Sequence, residues 1–295
     1  MCRLDHLLCL VSSTAPPVAL RQGLHLAATY DATLHVMPIG WGDRAFLLEA
    51  LRNERRRRGD AASVDTRIVP AADEGPLQAI RRYRERINVD LLVVDSFAGC
   101  SGEPPLADED TRSLIEQFTV PLFLVDRCGA PESVQRLLVP TDLSDQSFET
   151  LKHATELATY YDASIVLLHV LDTSPYVALT PIDRLSLGST TLSEHRARRR
   201  LRQFVQRGGT ADVPIHTRLA FGDPATHIAR AVNEEAADLL VLSSHAVKEQ
   251  ATHALGPVAD RVLRRVTCPL LLVRTIGASL RSAEEARTNA KGTPE

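Results

Sequence analysis

Short apolar runs alternate with longer amphipathic stretches along most of the chain. In the C-terminal half, the segments 136–140, 164–170 and 238–243 are mostly apolar, which is typical of strands buried on both faces of a parallel sheet. Apolar residues at helical spacing follow the first of them, after Ser144 or Asp145 as a helix N-cap. The pattern predicts strands at 136–140, 164–170, 215–220, 238–243 and 270–273, and helices at 144–161, 194–207, 224–236 and 257–265.

The N-terminal half repeats this pattern. Asp90–Val94 returns as Asp238–Leu242, Thr119–Val125 returns as Thr267–Val273, and Tyr30–Thr33 returns as Tyr161–Ser164. A period of about 140 residues is the length of a domain and too long for a solenoid unit. The first copy has predicted strands at 7–11, 32–37, 65–69, 91–95 and 122–125, and a predicted helix at 46–58.

Alternating strands and helices favour right-handed crossovers and parallel strand pairing. The sequence therefore predicts an α/β fold of two tandem, doubly wound, mostly parallel five-stranded sheets with helices on both faces. We expect the domains to cover 1–128 and 134–275, joined by a short linker. The polar tail 276–295 is expected to be disordered. Most of the extra residues of the second copy lie in the polar connection 172–193.

Composition narrows the function classes. The 295 residues carry a formal net charge of −3, which gives no general electrostatic reason to bind nucleic acid or an anionic membrane. Five scattered cysteines without a CxxC pair favour free thiols in a reducing compartment. No apolar run approaches the length of a membrane span. We expect a cytoplasmic protein with no nucleic acid or membrane partner.

Ligands of doubly wound sheets bind beyond the carboxyl ends of the strands, at the point where the strand order reverses. In the second copy those ends carry Pro140-Thr141-Asp142, the segment His169–Asp172 and Leu242-Ser243-Ser244-His245-Ala246. A further helix begins about ten residues after the last of these, at Gly256-Pro257-Val258. The sequence thus concentrates its candidate chemistry in the second copy.

These segments resemble the universal stress protein family. The resemblance rests on Leu137–Ser144, Leu167–Asp172, Ala237–His245 and Leu255–Val273, and it extends over both copies to Thr275. It implies a fold like that of the adenine nucleotide alpha hydrolases. It also implies that the final strands 122–125 and 270–273 pair antiparallel to form an intrachain pseudo-dimer, and that chains pair further as a homodimer.

Some family members bind ATP through three spaced glycines and a Ser or Thr, since glycine lets backbone N–H groups close around phosphates. The spacing is kept here, but Ser243 and Ala246 stand at the first two glycine positions, Gly256 at the third, and Pro257 at the Ser/Thr position. The proline removes an N–H and a hydroxyl from the phosphate cradle. The phosphate half of the site is therefore eroded.

The base half of the site is intact. The resemblance assigns Asp142 to adenine and ribose recognition and Val170 to the adenine wall. The candidate cofactor-binding residues share the strand ends and the helix start of the second copy; they are Pro140, Thr141, Asp142, Val170, Leu242, Ser243, Ser244, His245, Ala246, Gly256, Pro257 and Val258. The first copy lacks the carboxylate and has Asp108-Glu109 at the helix start, so no nucleotide is expected there.

The resemblance implies a stress-response protein with a regulatory or protective role, gated by ATP with Mg or by another adenine nucleotide in the second domain. The alternatives are a slow ATPase and a ligand-free scaffold that binds partner proteins. We expect no catalytic residues and no metal site. His169, His245 and His253 match no zinc spacing, Ser144, His169 and Asp142 lack a nucleophile elbow, and the arginines of 196–202 fit a solvated helix face.

Overall fold

The computed structural model describes residues 4–12, 18–39, 44–58, 64–69, 76–95, 113–115, 120–125, 134–172, 190–208, 213–244 and 255–274. These residues form two compact units. The first holds the described residues up to Val93 together with 120–121, and the second holds the others up to Val273. The sequence predictions for the linker, for most of 172–193, for Asp108-Glu109, for His253 and for the tail 276–295 lie outside the described residues.

The first unit is a parallel α/β arrangement. Its strand order is β3-β2-β1-β4, with β1 parallel to β2 and β2 parallel to β3. The elements are β1 (His6–Ser12), α1 (Val18–Tyr30), β2 (Thr33–Ile39), α2 (Arg44–Arg58), β3 (Thr66–Ile68), α3 (Pro76–Arg84) and β4 (Leu91–Asp95). The five strand predictions for the first copy are each within two residues of an observed strand.

The second unit contains the other six strands. Its elements are β5 (Leu122–Val125), β6 (Arg136–Thr141), α4 (Asp145–Tyr161), β7 (Ser164–Leu171), α5 (Thr190–Arg207), β8 (Ile215–Phe221), α6 (Pro224–Glu234), β9 (Leu239–Ser244), α7 (Pro257–Leu263) and β10 (Leu270–Arg274). The strand order is β5-β10-β9-β6-β7-β8. Strand β6 is parallel to both of its neighbours, β9 and β7. The predicted alternation of strands and helices is confirmed.

The pairing of the two final strands is confirmed as well. Strand β5 runs antiparallel to β10, with Leu271 opposite Phe123 and Leu270 opposite Leu124. This pairing places β5 in the second unit, although β5 closes the first copy in sequence. The four residues of β5 are all buried, so an apolar strand gains burial and backbone partners by this arrangement.

The two units repeat the same helix ending. Asp31 after α1 and Asp162 after α4 both have a φ of 52°, the left-handed conformation that Asp tolerates better than most residues. In each unit the backbone N–H of the next residue donates to a carbonyl of the preceding helix, from Ala32 N to Ala27 O at 2.9 Å and from Ala163 N to Ala158 O at 2.8 Å. The repeated Tyr-Asp-Ala segment is therefore a helix stop followed by a strand.

The core lies along the central strands. Leu137, Leu138 and Val139 of β6 are fully buried, as are Leu239 and Leu240 of β9, which explains why these strands are continuously apolar. Strand β8 is the outermost strand of the second unit, and its residues are half-buried or exposed. In the described part of the chain, no helix is both long enough and apolar enough to cross a membrane.

Candidate functional site

The strand order of the second unit creates a crevice. The chain passes from β6 to β7 and β8 on one side, and then returns to β9 on the other side of β6. A switch point of this kind leaves space beyond the carboxyl ends of the two central strands. A cleft of about 340 Å³ lies there. Its described walls are Pro140, Thr141, Asp142, Ser147, Leu168, His169, Val170, Asp172, Pro224, Ile228, Leu242, Ser243, Gly256, Pro257, Val258 and Ala259.

Most of the predicted site residues meet at this cleft. Nine of them line it: Pro140, Thr141, Asp142, Val170, Leu242, Ser243, Gly256, Pro257 and Val258. Ser244 is only 1% exposed and is not among the lining residues. His245 and Ala246 lie outside the described residues. Strand ends that are 28 or more positions apart in sequence are thus brought together at the switch point, as expected for a doubly wound sheet.

The carboxylate of Asp142 is held in place by the start of α4. Ser147 Oγ donates to Asp142 Oδ1 at 2.5 Å, and the backbone N–H of Ser144 donates to the same oxygen at 2.9 Å. Ser144 is the N-cap of α4, and its side chain accepts from Ser147 N at 3.1 Å. One cap and one turn therefore fix the carboxylate at the mouth of the cleft before any ligand arrives.

The turn between β6 and α4 is tightly formed. Leu143 has a φ of 66°, an uncommon conformation for a side chain branched at Cγ. Its backbone N–H donates to Thr141 Oγ1 at 2.9 Å. The carbonyl of Thr141 pairs with His169 Nδ1 at 2.8 Å, and since a carbonyl can only accept, Nδ1 carries the proton. This ties the ends of β6 and β7 together.

Several lining residues were not predicted: Ser147, Leu168, Pro224, Ile228 and Ala259. Ser147 lies one helical turn into α4, and Ile228 lies on α6, which packs against β6, β7 and β8. Their sequence patterns indicate only a buried helix face. Ser147 alone carries a local signal, because a Ser three residues after an N-cap can bond back to the preceding turn.

Among the described residues, the opposite end of the cleft is formed by the start of α7. Helix α7 has seven residues and begins with Gly256 as N-cap, with no side-chain capping bond, and Pro257 at its first position. Gly256 has a φ of −68°, so no special glycine conformation is used. The described lining residues include two carboxylates, Asp142 and Asp172, and no lysine or arginine. The described lining therefore offers a triphosphate no cationic side chain.

An ion pair joins α6 to α7 beside the cleft. Asp223 is the N-cap of α6 and accepts from Thr226 Oγ1 at 2.6 Å and from Arg261 at 2.7 Å. The hydrogen bond from Thr226, with that from Arg261, lowers the pKa of Asp223 to about 2. The predicted cap and the proline at the first helical position are both confirmed. The pair fixes the two helices whose N-terminal residues line the cleft.

The other candidate chemistries find different partners. Ser144 and Asp142 are engaged at the start of α4, and His169 bonds to a backbone carbonyl. Among the described residues, no group of three or more His, Cys, Asp or Glu is placed to hold a metal ion. Neither Cys9 nor Cys268 forms a disulfide with a described residue.

The fold and the cleft define an α/β protein with a ligand-sized crevice at its switch point. A family model described as the universal stress protein family matches residues 133–274. A universal stress protein of Methanocaldococcus jannaschii is 33% identical over 142 residues, which are 48% of this chain and 82% of that protein. The chain belongs to the universal stress protein family.

Solved structures share the fold over most of the chain. A universal stress protein from Archaeoglobus fulgidus has a TM-score of 0.61 and 15% identity, covering 92% of this chain and 97% of that chain. A Pseudomonas aeruginosa protein described as functionally unknown has a TM-score of 0.68 and 18% identity, covering 92% of this chain and 93% of that chain.

Proposed function

We propose that the second unit binds an adenine nucleoside or nucleotide and that this binding gates a regulatory role in a stress response. The observation that carries the proposal is the fixed carboxylate of Asp142 at the mouth of an apolar cleft. Ser147 and the N–H of Ser144 hold Oδ1, so the ligand does not have to organise it. A preorganised acceptor costs little entropy when it meets a sugar hydroxyl.

The walls suit a flat, weakly polar ring. Val170, Pro140 and Ile228 line the cleft together with Leu242, and an apolar slot with a few placed polar groups is the usual form of a small-molecule site. We expect the phosphate end to be the weaker part of the site, because Pro257 has no N–H to donate and the described lining of the cleft has no lysine or arginine. We therefore expect ligands with few phosphates to bind at least as well as Mg-ATP.

Thermal unfolding tests this proposal directly. The full chain would be titrated with adenosine, AMP and Mg-ATP. A ligand at 100 times its dissociation constant stabilises the native state by about 2.7 kcal/mol, or a few degrees in a domain of this size. Asp142→Asn keeps the shape of the side chain and removes its charge, so it should reduce the shift. Asp162→Asn, a left-handed helix stop in the same unit, is the matched control.

A repaired loop separates the base half from the phosphate half. The double variant Ala246→Gly with Pro257→Ser restores the second glycine and the Ser/Thr position of the ATP-binding pattern, and Ser243 still stands at the first glycine position. It should gain affinity for Mg-ATP and leave adenosine binding nearly unchanged. If none of the three ligands stabilises either the parent or the repaired protein, the cleft is not an adenine site and the proposal is wrong.

A further inference from the structure

A second cavity opens beside the cleft, towards α5. It has a volume of about 370 Å³ and is lined by Asp142, Leu143, His169, Arg200, Gln203, Phe204 and Arg207. Asp142 and His169 line both cavities, so a ligand at Asp142 can extend into either one. The family resemblance assigns no role to α5, and from the sequence alone its arginines are expected to form a solvated face.

The charges of the two cavities are complementary. The described lining of the cleft has two carboxylates and no lysine or arginine. The second cavity has two guanidinium groups, an amide and an imidazole, beside the one shared carboxylate. Guanidinium groups form strong, geometrically defined hydrogen bonds with phosphate oxygens. Positive side chains are absent from the described lining of the cleft and are present on its α5 side.

Helix geometry explains why these side chains converge. Arg200, Gln203, Phe204 and Arg207 are spaced by three, four and seven positions, so they share one face of α5. Phe204 is buried and packs edge-on against Phe148 of α4, with ring centroids 5.5 Å apart. This aromatic contact anchors the face of α5 that carries both arginines.

The two arginines are held differently. Arg207 lies over the Phe148 ring at 4.3 Å and pairs with Asp145 at 2.6 Å, so its guanidinium is positioned and its charge is balanced. Arg200 makes no ion pair with the described residues, whereas Arg198 on the same helix pairs with Glu194 at 2.8 Å. Arg200 therefore supplies the unbalanced positive charge of the cavity. His169 has its Nδ1 committed to Thr141, which leaves Nε2 as its other polar atom.

We propose that Arg200, Gln203, Arg207 and His169 form a phosphate subsite, and that the preferred ligand of the second unit is a nucleoside monophosphate. The sugar lies at Asp142 and the phosphate points towards α5 instead of the eroded loop before α7. A single phosphate matches one unbalanced guanidinium better than a triphosphate does. The inference rests on the proposed function for the base and sugar, and adds a phosphate position of its own.

Calorimetric titration of the full chain with adenosine and AMP tests the subsite. We expect AMP to bind about tenfold more tightly than adenosine, the gain typical of a charge-assisted hydrogen bond. Arg200→Ala should remove that advantage and leave adenosine affinity unchanged. The matched control is Arg202→Ala, which changes an exposed residue of the same helix outside the cavity. This variant should still bind AMP more tightly than adenosine. A merely structural role for Arg200 would weaken both ligands alike.

The outcomes separate the two proposals. If adenosine binds and AMP binds no more tightly, or if Arg200→Ala leaves the AMP advantage intact, the phosphate subsite is overturned and the adenine site stands. If neither adenosine nor AMP binds, the phosphate subsite is overturned, and the adenine site is wrong as well when Mg-ATP also fails to stabilise the parent and the repaired protein. Competition with inorganic phosphate is an independent test. Inorganic phosphate should weaken AMP binding in the parent protein and not in Arg200→Ala. An equal effect in both proteins would overturn the subsite.

Discussion

Asp90 and Asp238 make the same hydrogen bonds in the two units. Asp90 Oδ2 accepts the backbone N–H groups of Asp5 and His6, both at 2.9 Å. Asp238 Oδ2 accepts those of Gln135 and Arg136, at 2.8 and 2.9 Å. Each aspartate precedes the fourth strand of its copy in sequence and fastens the start of the first strand. The repeated Asp-Leu-Leu-Val segment therefore carries a structural bond as well as a buried strand.

Removing either carboxylate should destabilise its unit. Asp238→Ala and Asp90→Ala each remove a charged acceptor from two backbone N–H groups at the start of a strand, at a cost of about 1–3 kcal/mol. Denaturant unfolding of the two variants should show losses of similar size. A loss in only one variant would mean that the hydrogen bonds are not equivalent in the two units.

Ser147→Ala should weaken ligand binding more than it weakens the fold. The change removes the 2.5 Å hydrogen bond to Asp142 and keeps the backbone N–H that bonds to Ser144, so the helix cap survives. We expect adenosine affinity to fall about five- to tenfold, equivalent to about 1–1.4 kcal/mol, as measured by calorimetry. Ser164→Ala, whose hydroxyl bonds to the Gln135 carbonyl at 3.3 Å, should leave the affinity unchanged.

Asp223 should contribute stability that acid removes. Its pKa is lowered from 3.8 to about 2 in the folded protein, first by the bond from Thr226. A lowered carboxylate pKa stabilises the fold above the unfolded value and loses that effect as pH falls towards 2. Asp223→Ala should therefore cost roughly 1–2 kcal/mol at pH 6, the usual value of an N-cap. Unfolding curves should show this difference shrinking between pH 4 and pH 2; a constant difference would contradict the charge's role.

His35 should make the first unit sensitive to mild acid. It is fully buried between His6 and Tyr83; its Nε2 is hydrogen-bonded to His6 Nδ1 at 3.2 Å, and its Nδ1 to the Tyr83 hydroxyl at 2.6 Å. Burial, with the nearby His6 and Arg67, lowers its pKa from 6.5 to about 4, against the opposing effect of Asp65. Between these values only the unfolded chain takes up the proton, so the free energy of unfolding falls as pH drops from 6.5 to 4, by about 2–3 kcal/mol.

The comparison of pH slopes tests this effect of His35. His35→Gln cannot titrate, so its unfolding free energy should lose most of that dependence between pH 6.5 and pH 4, whatever the substitution costs at neutral pH. His216→Gln changes an exposed histidine of β8 and should keep the parent slope. Equal slopes in the parent and His35→Gln would contradict the assignment.

Local sequence patterns predicted the bounds of an element well where a short apolar run lies between turn residues. The strand 91–95 and the strand 122–125 have the bounds that the structure gives, because both are short apolar runs between turn residues. The predicted start of α5 at Glu194 was four residues late, since α5 begins at Thr190. The segment Thr190–Ser193 contains two Thr and a Ser beside Leu192, and Ser and Thr also suit a loop, so the sequence gives no clear boundary there.

The sequence by itself determined the repeat, the order of strands and helices, the caps at Ser144 and Asp223, and the family to which the chain belongs. These features depend on residue type within a few positions, where φ/ψ preference and apolar spacing act directly. Only the tertiary structure decided that β6 lies between β9 and β7, that Ser147 and Ile228 reach the cleft, and that Arg200 and Arg207 face Asp142. Such contacts join residues far apart in the chain, and they follow from how the crossover helices pack on the sheet.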